Sequence, residues 1–499
     1  MNARARPAGA SAAAQGPSAV RAPGAEPVRT ALAGARAWLV GGSVRDGLLG
    51  RPTTDLDLVI DGDPARAARA VARAAPRAAC FALSDDFGSW RVVARGNAWR
   101  LDVEPLRGAT IEADLALRDF TVNAIAEPLA GGAPIDPLGG IEDLRGGRLR
   151  MAGASAFAAD PLRVLRLVRL ALELDLRPDP QTLRAAGAHA QGLRGVSAER
   201  VFAELRRIIA SERVHEGLQM LERLGASAVI LPELHALHGV QQSRYHHLDV
   251  YGHTLEVLDR TVALTSDAHT PEAELDACVG GHARAVRALL AEPLADEMTR
   301  GQALRWGALL HDAAKPLTRE IRARDGRVTF IGHDVRGAQL ARAVLARLRA
   351  SERLRAHVAA LVRHHLLLGF LVHEPQPLSR RKVFEYLHAC SPVEVDVTLL
   401  SIADRLATRG DRAHESIQTH LALARGLLAD ALRWRAEGPP APLLKGDQLA
   451  RELAIPTGPR VGELLHELAA AQYAGEVCTR ADALAHARAL VREPDAPAA

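Results

Sequence analysis

Short apolar runs separated by glycine and aspartate mark the segment between residues 34 and 150. The runs fall at residues 38–40, 56–60, 90–93 and 101–103, and each has a length typical of a β-strand. Between the second and third runs, the sequence predicts a helix over residues 64–75. The segment therefore predicts a small α/β unit.

The pattern changes after Asp160, where apolar residues recur every three or four positions. Leu162, Leu165, Val168 and Leu172 share one face of a helix at this spacing. Similar helical patterns continue almost to the end of the chain, and they are interrupted near Pro178, Pro232, Pro271, Pro375 and Pro439. The predicted fold class is α+β, with a small α/β head followed by a long all-helical body.

Composition is typical of a globular protein. The 499 residues suffice for about three domains, and 48% are hydrophobic and 24% charged. The net charge is only +4, so any nucleic-acid binding must depend on local patches. Nearly all of the basic residues are arginines, which bind phosphate in a bidentate manner. A bias towards GC-rich codons explains the arginines equally well.

Cysteines and apolar runs bear on location. Cys80, Cys278, Cys390 and Cys478 form no CxxC pair, which argues against a zinc ribbon or a disulfide framework and indicates a reducing cytosol. No apolar run approaches the roughly 18 residues that cross a bilayer, so we expect a cytoplasmic protein without a membrane partner. Residues 1–33 have almost no large apolar side chain, and we expect a disordered tail. Their arginine-rich start is also typical of a transit peptide, but the same bias continues throughout the chain.

A first group of candidate functional residues lies in the head. Gly41 and Gly42 follow the first predicted strand, where backbone N–H groups and the side chain of Arg45 can contact a phosphate chain. Strand alternation places the carboxylates of Asp55 and Asp57 on one face. Two such acids repel each other unless a cation lies between them. Each feature alone is also explained by a tight turn or by solvated acids.

A third acid changes this interpretation. Asp102 lies in another predicted strand, and three carboxylates can hold two Mg²⁺ ions that activate an attacking hydroxyl and neutralise a leaving pyrophosphate. Glu104 shares the same face of that strand and is the competing candidate. The combination predicts a catalytic site for nucleotidyl transfer.

Four ordered motifs carry a resemblance to a known family. The motifs at residues 41–46, 55–57, 118–124 and 160–166 resemble those of class II tRNA nucleotidyltransferases and bacterial poly(A) polymerases. The resemblance implies a nucleotidyltransferase head with a mixed sheet, in which Asp55 and Asp57 bind catalytic metal. It also implies that Arg118, Asp119 and Asn123 contact the ribose and triphosphate. The family's RRDxxxN segment begins with a further arginine, and here that position is Leu117.

The last of these motifs resembles the family's EDxxR element, which reads the base of the incoming nucleotide. Asp160 and Arg163 match its second and last positions, and an i, i+3 spacing on a helix places both side chains on one face. The element's glutamate is Ala159 here. Arg166 extends the row and is a candidate to stabilise the helix or to contact RNA phosphate. An exposed helical ion pair is the alternative for this spacing.

A second group consists of histidines and aspartates in the helical body. His253, His311, Asp312 and Asp404 occur in an order that resembles the HD metal-dependent phosphohydrolase domain, so the resemblance implies a divalent metal of unknown identity. His333 and His364 are candidates for a second metal position or for phosphate binding. His246 and His247 precede the first ligand helix and are interpreted as loop or helix-start residues. The HD domain is an active phosphodiesterase or phosphatase in some nucleotidyltransferases and a structural remnant in others, so hydrolysis stays open.

The resemblance implies a CCA-adding tRNA nucleotidyltransferase that uses CTP, ATP and Mg²⁺. Addition of A only, of CC only or of poly(A) stays open. An HD phosphohydrolase whose head serves only as a binding module also stays open. The sequence leaves the oligomeric state undetermined. A non-catalytic RNA-binding protein conflicts with the clustered carboxylates. The expected regions are a tail at 1–33, a head at 34–150, a helical neck at 151–240, an HD domain at 241–411 with an insertion near 265–300, and a C-terminal helical region at 412–499.

Overall fold

The computed structural model describes residues 22–84, 88–242, 247–266, 270–408 and 413–492. The described chain forms two compact units. One extends to Val196 and includes Arg223–Val229, and the other comprises Ser197–Glu222 and continues from Ile230. His246 lies outside the described residues.

A six-stranded mixed sheet forms the centre of the first unit, and its order is β3-β4-β5-β2-β1-β6. Strands β2 and β5 pair in parallel, and the other neighbours pair antiparallel. The predicted α+β class is confirmed. The strands of this unit, including a short pair β7 and β8, are β1 Ala37–Val40, β2 Asp55–Ile60, β3 Ala79–Ser84, β4 Ser89–Val93, β5 Arg100–Pro105, β6 Ala126–Pro128, β7 Arg148–Leu149 and β8 Arg177–Pro178.

Helices pack on the sheet, and the first side chains along β2 alternate between exposed and buried positions. Leu56 and Leu58 are buried, whereas Asp55 between Thr54 and Leu56 is exposed. Helix α3 packs against β3, β4 and β5, and α2 packs against β1 and β2. The helices of this unit are α1 Ala25–Ala31, α2 Gly42–Leu48, α3 Pro64–Ala74, α4 Ile111–Ala116, α5 Gly140–Gly146, α6 Ala156–Ala159, α7 Arg163–Leu174 and α8 Pro180–His189.

The expectation of a disordered tail over residues 1–33 is wrong for its last part. Helix α1 packs against α3, and Val28 is fully buried. Gly24 lies so close to Trp99 that a Cβ at this position would lie 2.7 Å from the indole ring. The valine and the alanines of this helix bury enough apolar surface to order the segment, because a tryptophan and a second helix lie against it. Residues 1–21 lie outside the described part of the chain.

The rest of the described chain is almost entirely helical. Its helices are α9 Ala198–Ala210, α10 Val214–Arg223, α11 Ser227–Ile230, α12 Pro232–His235, α13 Val250–Thr265, α14 Glu272–Val279, α15 Ala283–Leu290, α16 Arg300–Leu310, α17 Lys315–Thr318, α18 His333–Arg347, α19 Glu352–His364, α20 Leu367–Leu371, α21 Arg380–Cys390, α22 Glu394–Ala407, α23 Ala413–Glu437, α24 Gly446–Leu453, α25 Pro459–Ala474 and α26 Arg480–Arg492. Two short hairpins join them, formed by β9 Pro293–Ala295 with β10 Met298–Thr299 and by β11 Glu320–Ile321 with β12 Val328–Thr329.

The centre of the second unit is a group of long helices. Helix α13 packs against α16 and α22, and α19 packs against α16 and α18. Nearly every residue of α16 is buried, which requires partners on all of its sides. Within the described residues, no helix is long and apolar enough to cross a membrane.

Candidate active site and candidate metal centre

The three acids proposed from the sequence lie together on the central sheet. Asp57 of β2 and Asp102 of β5 are Cα partners in the parallel pair, so their side chains leave the same face. Asp55 lies two residues before Asp57 on that face. Arginines of neighbouring strands bind the outer two acids. Arg100 pairs with Asp55 at 2.7 Å, and Arg91 pairs with Asp102 at 2.7 Å.

Asp57 has the most perturbed environment of the three acids. Burial of its carboxyl group raises the pKa of Asp57 to about 6 although Arg118 opposes the shift, and Asp102 and Glu104 raise it further. Mutual repulsion of this kind is what a divalent cation relieves, and carboxylate oxygens are the ligands that Mg²⁺ prefers. The donor set therefore fits a divalent metal, which Asp57 would hold with Asp55 and Asp102.

Asp102 and Glu104 differ in how they face Asp57. Asp102 is its direct strand partner, whereas Glu104 pairs with Val59, two residues further along the same two strands. The nearest charged group to Glu104 among its ion pairs is Arg107, at 3.8 Å. The register therefore favours Asp102 as the third ligand.

The glycine pair lies directly beside this cluster. Gly41 directly follows β1 and has a φ of +68°, which favours glycine. A Cβ at Gly41 would lie 3.1 Å from Asp57 Oδ2 and 3.2 Å from a guanidinium nitrogen of Arg118. Gly42 begins α2, and a Cβ there would lie 3.5 Å from the Arg45 guanidinium. The turn thus allows a phosphate chain to approach the carboxylates closely.

A network of hydrogen bonds positions the cationic side chains of the site. The fully buried carboxylate of Asp114 accepts two bonds of 3.3 Å from Arg118. Arg45 donates to Asn123 Oδ1 at 2.6 Å, and the Asn123 amide donates to Asp119 Oδ1 at 3.0 Å. Asp114 was missed in the sequence, although its place on α4, four residues before Arg118, is a readable signal.

Asp119 links this network to α7. Its other carboxylate oxygen lies 3.0 Å from Arg166. Burial would raise the pKa of Asp119, but Arg166 and the hydrogen bond from Asn123 outweigh it and hold the pKa below its ordinary value. The ion pair thus holds the side chains of Asp119 and Arg166 in position.

The expected helix face carrying both Asp160 and Arg163 is wrong. Helix α7 begins only at Arg163, and Asp160 has extended backbone and accepts a hydrogen bond from the Leu162 N–H at 3.1 Å. Arg163 donates to the carbonyl oxygens of Leu117 at 2.9 Å and Arg118 at 3.2 Å. Pro161 explains the difference, because the residue before a proline is disfavoured in the helical region.

The histidines and aspartates of the second unit form a separate buried cluster, the HD cluster. His253 on α13, His311 and Asp312 after α16, and Asp404 on α22 come together as expected. His253 Nε2 lies 3.0 Å from Asp404 Oδ1 and 3.7 Å from Asp312 Oδ2. His311 Nε2 lies 3.1 Å from Asp312 Oδ2. Helices α13 and α22 and the two residues that directly follow α16 therefore supply these four side chains.

The second candidate position contains His333 and His365. Both rings and Asp312 can share one ion. This group contains His365 rather than the expected His364. His365 directly follows α19 and is buried, as are Val358 and Leu361. The i, i+4, i+7 spacing from Val358 through Val362 to His365 is the sequence signal that identifies the inner histidine.

Three histidines of the HD cluster are oriented by their own backbone. The Nδ1 atoms of His311, His333 and His365 bond to the carbonyl oxygens three residues before them, at 2.7, 2.6 and 2.7 Å. The opposite Nε2 atoms of His311 and His333 are buried and make no hydrogen bond. Imidazole groups fixed through one nitrogen are typical metal ligands, so the cluster fits a divalent metal.

Lys315 adds a positive charge that was missed in the sequence. Its ammonium group lies 2.7 Å from Asp312 Oδ2 and donates to Gln242 Oε1 at 2.5 Å. Burial would raise the pKa of Asp312, but His311 and Lys315 outweigh it and hold the pKa well below its usual range. Asp312 is therefore an anion at neutral pH, as a metal ligand must be.

The fold and the two sites together define a nucleotidyltransferase that carries an HD domain. Comparison with protein families supports this class in three segments. Residues 37–150 match the Poly A polymerase head domain, residues 175–237 match the probable RNA and SrmB-binding site of polymerase A, and residues 279–409 match the HD domain. His253 precedes the last segment, yet it lies against Asp404 in the structure.

Whole-chain relatives identify the family. An A-adding tRNA nucleotidyltransferase of Deinococcus radiodurans is 35% identical over 92% of this chain and 96% of its own length. A CC-adding tRNA nucleotidyltransferase of Thermus thermophilus is 36% identical over 90% of this chain and 92% of its own length. The chain belongs to the tRNA nucleotidyltransferase and poly(A) polymerase family. The CCA-adding enzyme of Bacillus stearothermophilus in complex with CTP shares the fold, with a TM-score of 0.59, 22% identity and coverage of 94% and 98% of the two chains.

Proposed function

We propose that this protein adds nucleotides from CTP and ATP to the 3′ end of tRNA, without a nucleic-acid template. The observation that carries the proposal is the pairing of Asp57 with Asp102 beside the turn at Gly41. The whole-chain relatives described above are named as enzymes that act on tRNA. A tRNA-maturation role also supports a cytoplasmic location.

In the proposed reaction, the terminal 3′-hydroxyl oxygen of tRNA forms a bond with the α-phosphorus of the nucleotide. The bond from that phosphorus to the bridging oxygen breaks, and pyrophosphate leaves. Asp55, Asp57 and Asp102 would hold Mg²⁺, which activates the hydroxyl and neutralises the leaving group. Gly41 admits the triphosphate, and Arg118 beside it supplies positive charge to the phosphates.

Residues beyond the acids would hold the sugar and base. Asn123 and Asp119 form one hydrogen-bonded unit with Arg45, which suits contact with the ribose and triphosphate. Asp160 and Arg163 are the candidates for reading the base, Asp160 from the turn before α7 and Arg163 from its first residue. Arg166 would support them from α7 through its pairing with Asp119.

The extent of addition separates three versions of this proposal. Complete CCA addition is our leading version. The names of the two whole-chain relatives, A-adding and CC-adding, favour a chain that performs only one part of the addition as the second version. Polyadenylation of other RNAs is the third.

One assay distinguishes these versions. Purified protein with Mg²⁺ is incubated with three tRNAs that end before CCA, after CC and after CCA, and labelled CTP and ATP are supplied separately and together. Incorporation of C, C and then A supports the leading version. Addition of only C or only A supports divided labour, and long A tails support polyadenylation. Absence of incorporation into every RNA would overturn the proposal.

A second activity is favoured by the HD cluster. Lys315 places an ammonium group beside Asp312 and the candidate ligand histidines, where it can contact a phosphate oxygen. We propose that the cluster binds a divalent metal and hydrolyses phosphomonoesters or cyclic phosphates. Opening of 2′,3′-cyclic nucleotides to the 2′- or 3′-phosphomonoester, and release of inorganic phosphate from phosphomonoesters, are measured with and without added Mg²⁺, Mn²⁺, Co²⁺ or Ni²⁺. Absence of both products with every one of these metals would leave the cluster a structural element.

A further inference from the structure

A third group of potential ligands lies in the second unit and shares no residue with the HD cluster. Glu222 Oε2 lies 2.9 Å from His235 Nδ1 and 3.5 Å from His238 Nε2, and the three ligand atoms all lie within 4.8 Å of one another. We call these three residues the Glu222 cluster. Glu222 belongs to α10, whereas both histidines lie in or after α12.

The chain presents the two histidines together for a simple reason. Residues 231–238 form continuous helical turns, in which the His235 N–H bonds to Leu231 at 3.1 Å and the His238 N–H bonds to His235 at 3.3 Å. Leu231, Leu234 and Leu237 are buried on one side. His235 and His238 each follow one of these leucines, so both histidines leave the other side three residues apart.

The turn that holds the histidines is itself anchored. The Gly239 N–H donates to Asp249 Oδ2 at 2.7 Å. Arg347 donates to the Ile230 carbonyl oxygen at 3.1 Å and pairs with Glu233 at 2.6 Å. His238 also stacks on the Tyr251 ring, with 3.7 Å between the ring centres. The two imidazoles are therefore held in place before any ligand arrives, which lowers the entropic cost of binding.

Two polar atoms around the cluster are buried without a hydrogen-bond partner. One is the second carboxylate oxygen of Glu222, and the other is the hydroxyl group of Tyr251, whose residue is only 8% exposed. The side chains of His235 and His238 are half exposed, at 50% and 44%. The histidine side chains are thus open to solvent, whereas the carboxylate of the cluster has one buried oxygen without a hydrogen-bond partner.

We propose that the Glu222 cluster binds a divalent transition metal of the zinc class. Two imidazole nitrogens and one carboxylate oxygen are a donor set typical of Zn²⁺, Co²⁺ and Ni²⁺, whereas Mg²⁺ prefers oxygen alone. In a tetrahedral site with bonds of about 2.0–2.1 Å, neighbouring ligand atoms lie roughly 3.3 Å apart. The two separations from Glu222 lie on either side of this value.

The bound metal would join α10 to the segment that follows α12. Its three protein ligands leave a fourth position towards solvent, which water or a further ligand can fill. An ordinary ion pair is the alternative for a histidine beside a carboxylate. That alternative predicts no metal requirement, so metal binding decides between the two.

The test uses the full-length protein stripped with EDTA and dialysed into chelated buffer. Zn²⁺ is titrated by calorimetry into the wild type, the H235Q/H238Q double variant and the E222Q variant. H215Q is the matched control, since His215 also lies on α10 and pairs with one carboxylate, that of Asp259 on α13, at 2.6 Å. The HD cluster is intact in every protein, so differences between variants report the Glu222 cluster.

We expect the double variant to bind one equivalent of Zn²⁺ fewer than the wild type, E222Q to bind that equivalent at least tenfold more weakly, and H215Q to match the wild type. Zn²⁺ should also raise the unfolding temperature of the wild type more than that of the double variant. Equal stoichiometry and affinity in all four proteins would overturn the proposal. Equal loss in H215Q would overturn it as well. If all the stripped proteins unfold at the same temperature, the lost equivalent does not result from misfolding. Should the double variant fail to fold, E222Q, which preserves side-chain size, still tests the site.

Discussion

Asp57 of β2 and Asp102 of β5 are direct partners across two parallel strands, although 45 residues separate them in the chain. Parallel pairing places equivalent side chains on one face, so the register alone brings the carboxylates together. Antiparallel pairing of β2 with β1 places Val40, and hence the turn at Gly41, beside Asp57. One strand thus joins the acidic pair to the phosphate turn.

Replacement of Asp57 should remove nucleotidyl transfer. Asp57→Asn preserves the size of the side chain and removes the charge that a metal ion requires, so we expect a loss of at least about a hundredfold in the rate of CMP or AMP incorporation. Asp61→Asn is the control, because Asp61 follows the same strand but pairs with the exposed Arg36 at 2.7 Å. Comparable activity of the two variants would contradict the assignment.

The third carboxylate can be assigned by a matched pair of substitutions. Asp102→Asn removes the strand partner of Asp57, and Glu104→Gln removes the acid one alternate position further on the same face. We expect Asp102→Asn to lose most of the transfer rate and to need more Mg²⁺ for half-maximal activity, whereas Glu104→Gln retains both. The reverse order in a Mg²⁺ titration would make Glu104 the ligand.

Gly41 should be needed for space as well as for backbone conformation. Gly41 and Gly50 both have a φ of +68°, but a Cβ at Gly41 would meet Asp57 and Arg118, whereas a Cβ at Gly50 would meet nothing within 4 Å. An alanine at Gly50 should cost about 1 kcal/mol in the free energy of unfolding. At Gly41, where ψ is −135°, the cost should be larger, about 1–3 kcal/mol. Only Gly41→Ala should also raise the KM for CTP or ATP. Equal KM values for the two variants would exclude the steric role.

The correction from His364 to His365 can be tested with neighbouring substitutions. His365→Gln should weaken Co²⁺ or Mn²⁺ binding at the HD cluster by about tenfold or more, because it removes a buried candidate ligand beside Asp312. His364→Gln, one residue earlier on a different face of the helix, should leave the affinity unchanged. Calorimetric titration of both variants gives the comparison, and a larger loss in His364→Gln would restore the original assignment.

His357 should make the helical unit sensitive to acid. Burial lowers the pKa of His357 to about 4, although Asp396 opposes the shift. The unfolded chain takes up this proton near pH 6.5 and the folded chain only near pH 4, so stability is lost as the pH falls through this window. Between pH 7 and pH 5 this linkage amounts to about 2 kcal/mol.

The measurement is the free energy of unfolding by urea at both pH values. His357→Gln should lose about 2 kcal/mol less than the wild type on going from pH 7 to pH 5. His373→Gln, at an exposed position, serves as the control and should follow the wild type. Parallel pH curves for His357→Gln and the wild type would show that another group dominates.

The order of elements and many of the candidate site residues can be predicted from local patterns in the chain. Alternating apolar positions at residues 56–60 predicted β2 and the common face of Asp55 and Asp57, because a strand has a fixed period of two. The ordered histidines and aspartates likewise predicted the HD cluster. Local pattern suffices in these cases, since the spacing of residues on one element fixes which side chains share its face.

Which elements contact each other depends on packing between segments that lie far apart in the chain. The pairing of Asp57 with Asp102 depends on strand order, and the inner position of His365 depends on the packing of α19 against α16 and α18. The helix α1 within the expected tail depends on Trp99 and α3, which lie far along the chain. The Glu222 cluster joins residues on two separate helical segments. Contacts between distant segments reflect the burial of apolar surface by the whole fold, and no periodic pattern within one segment of the sequence predicts them.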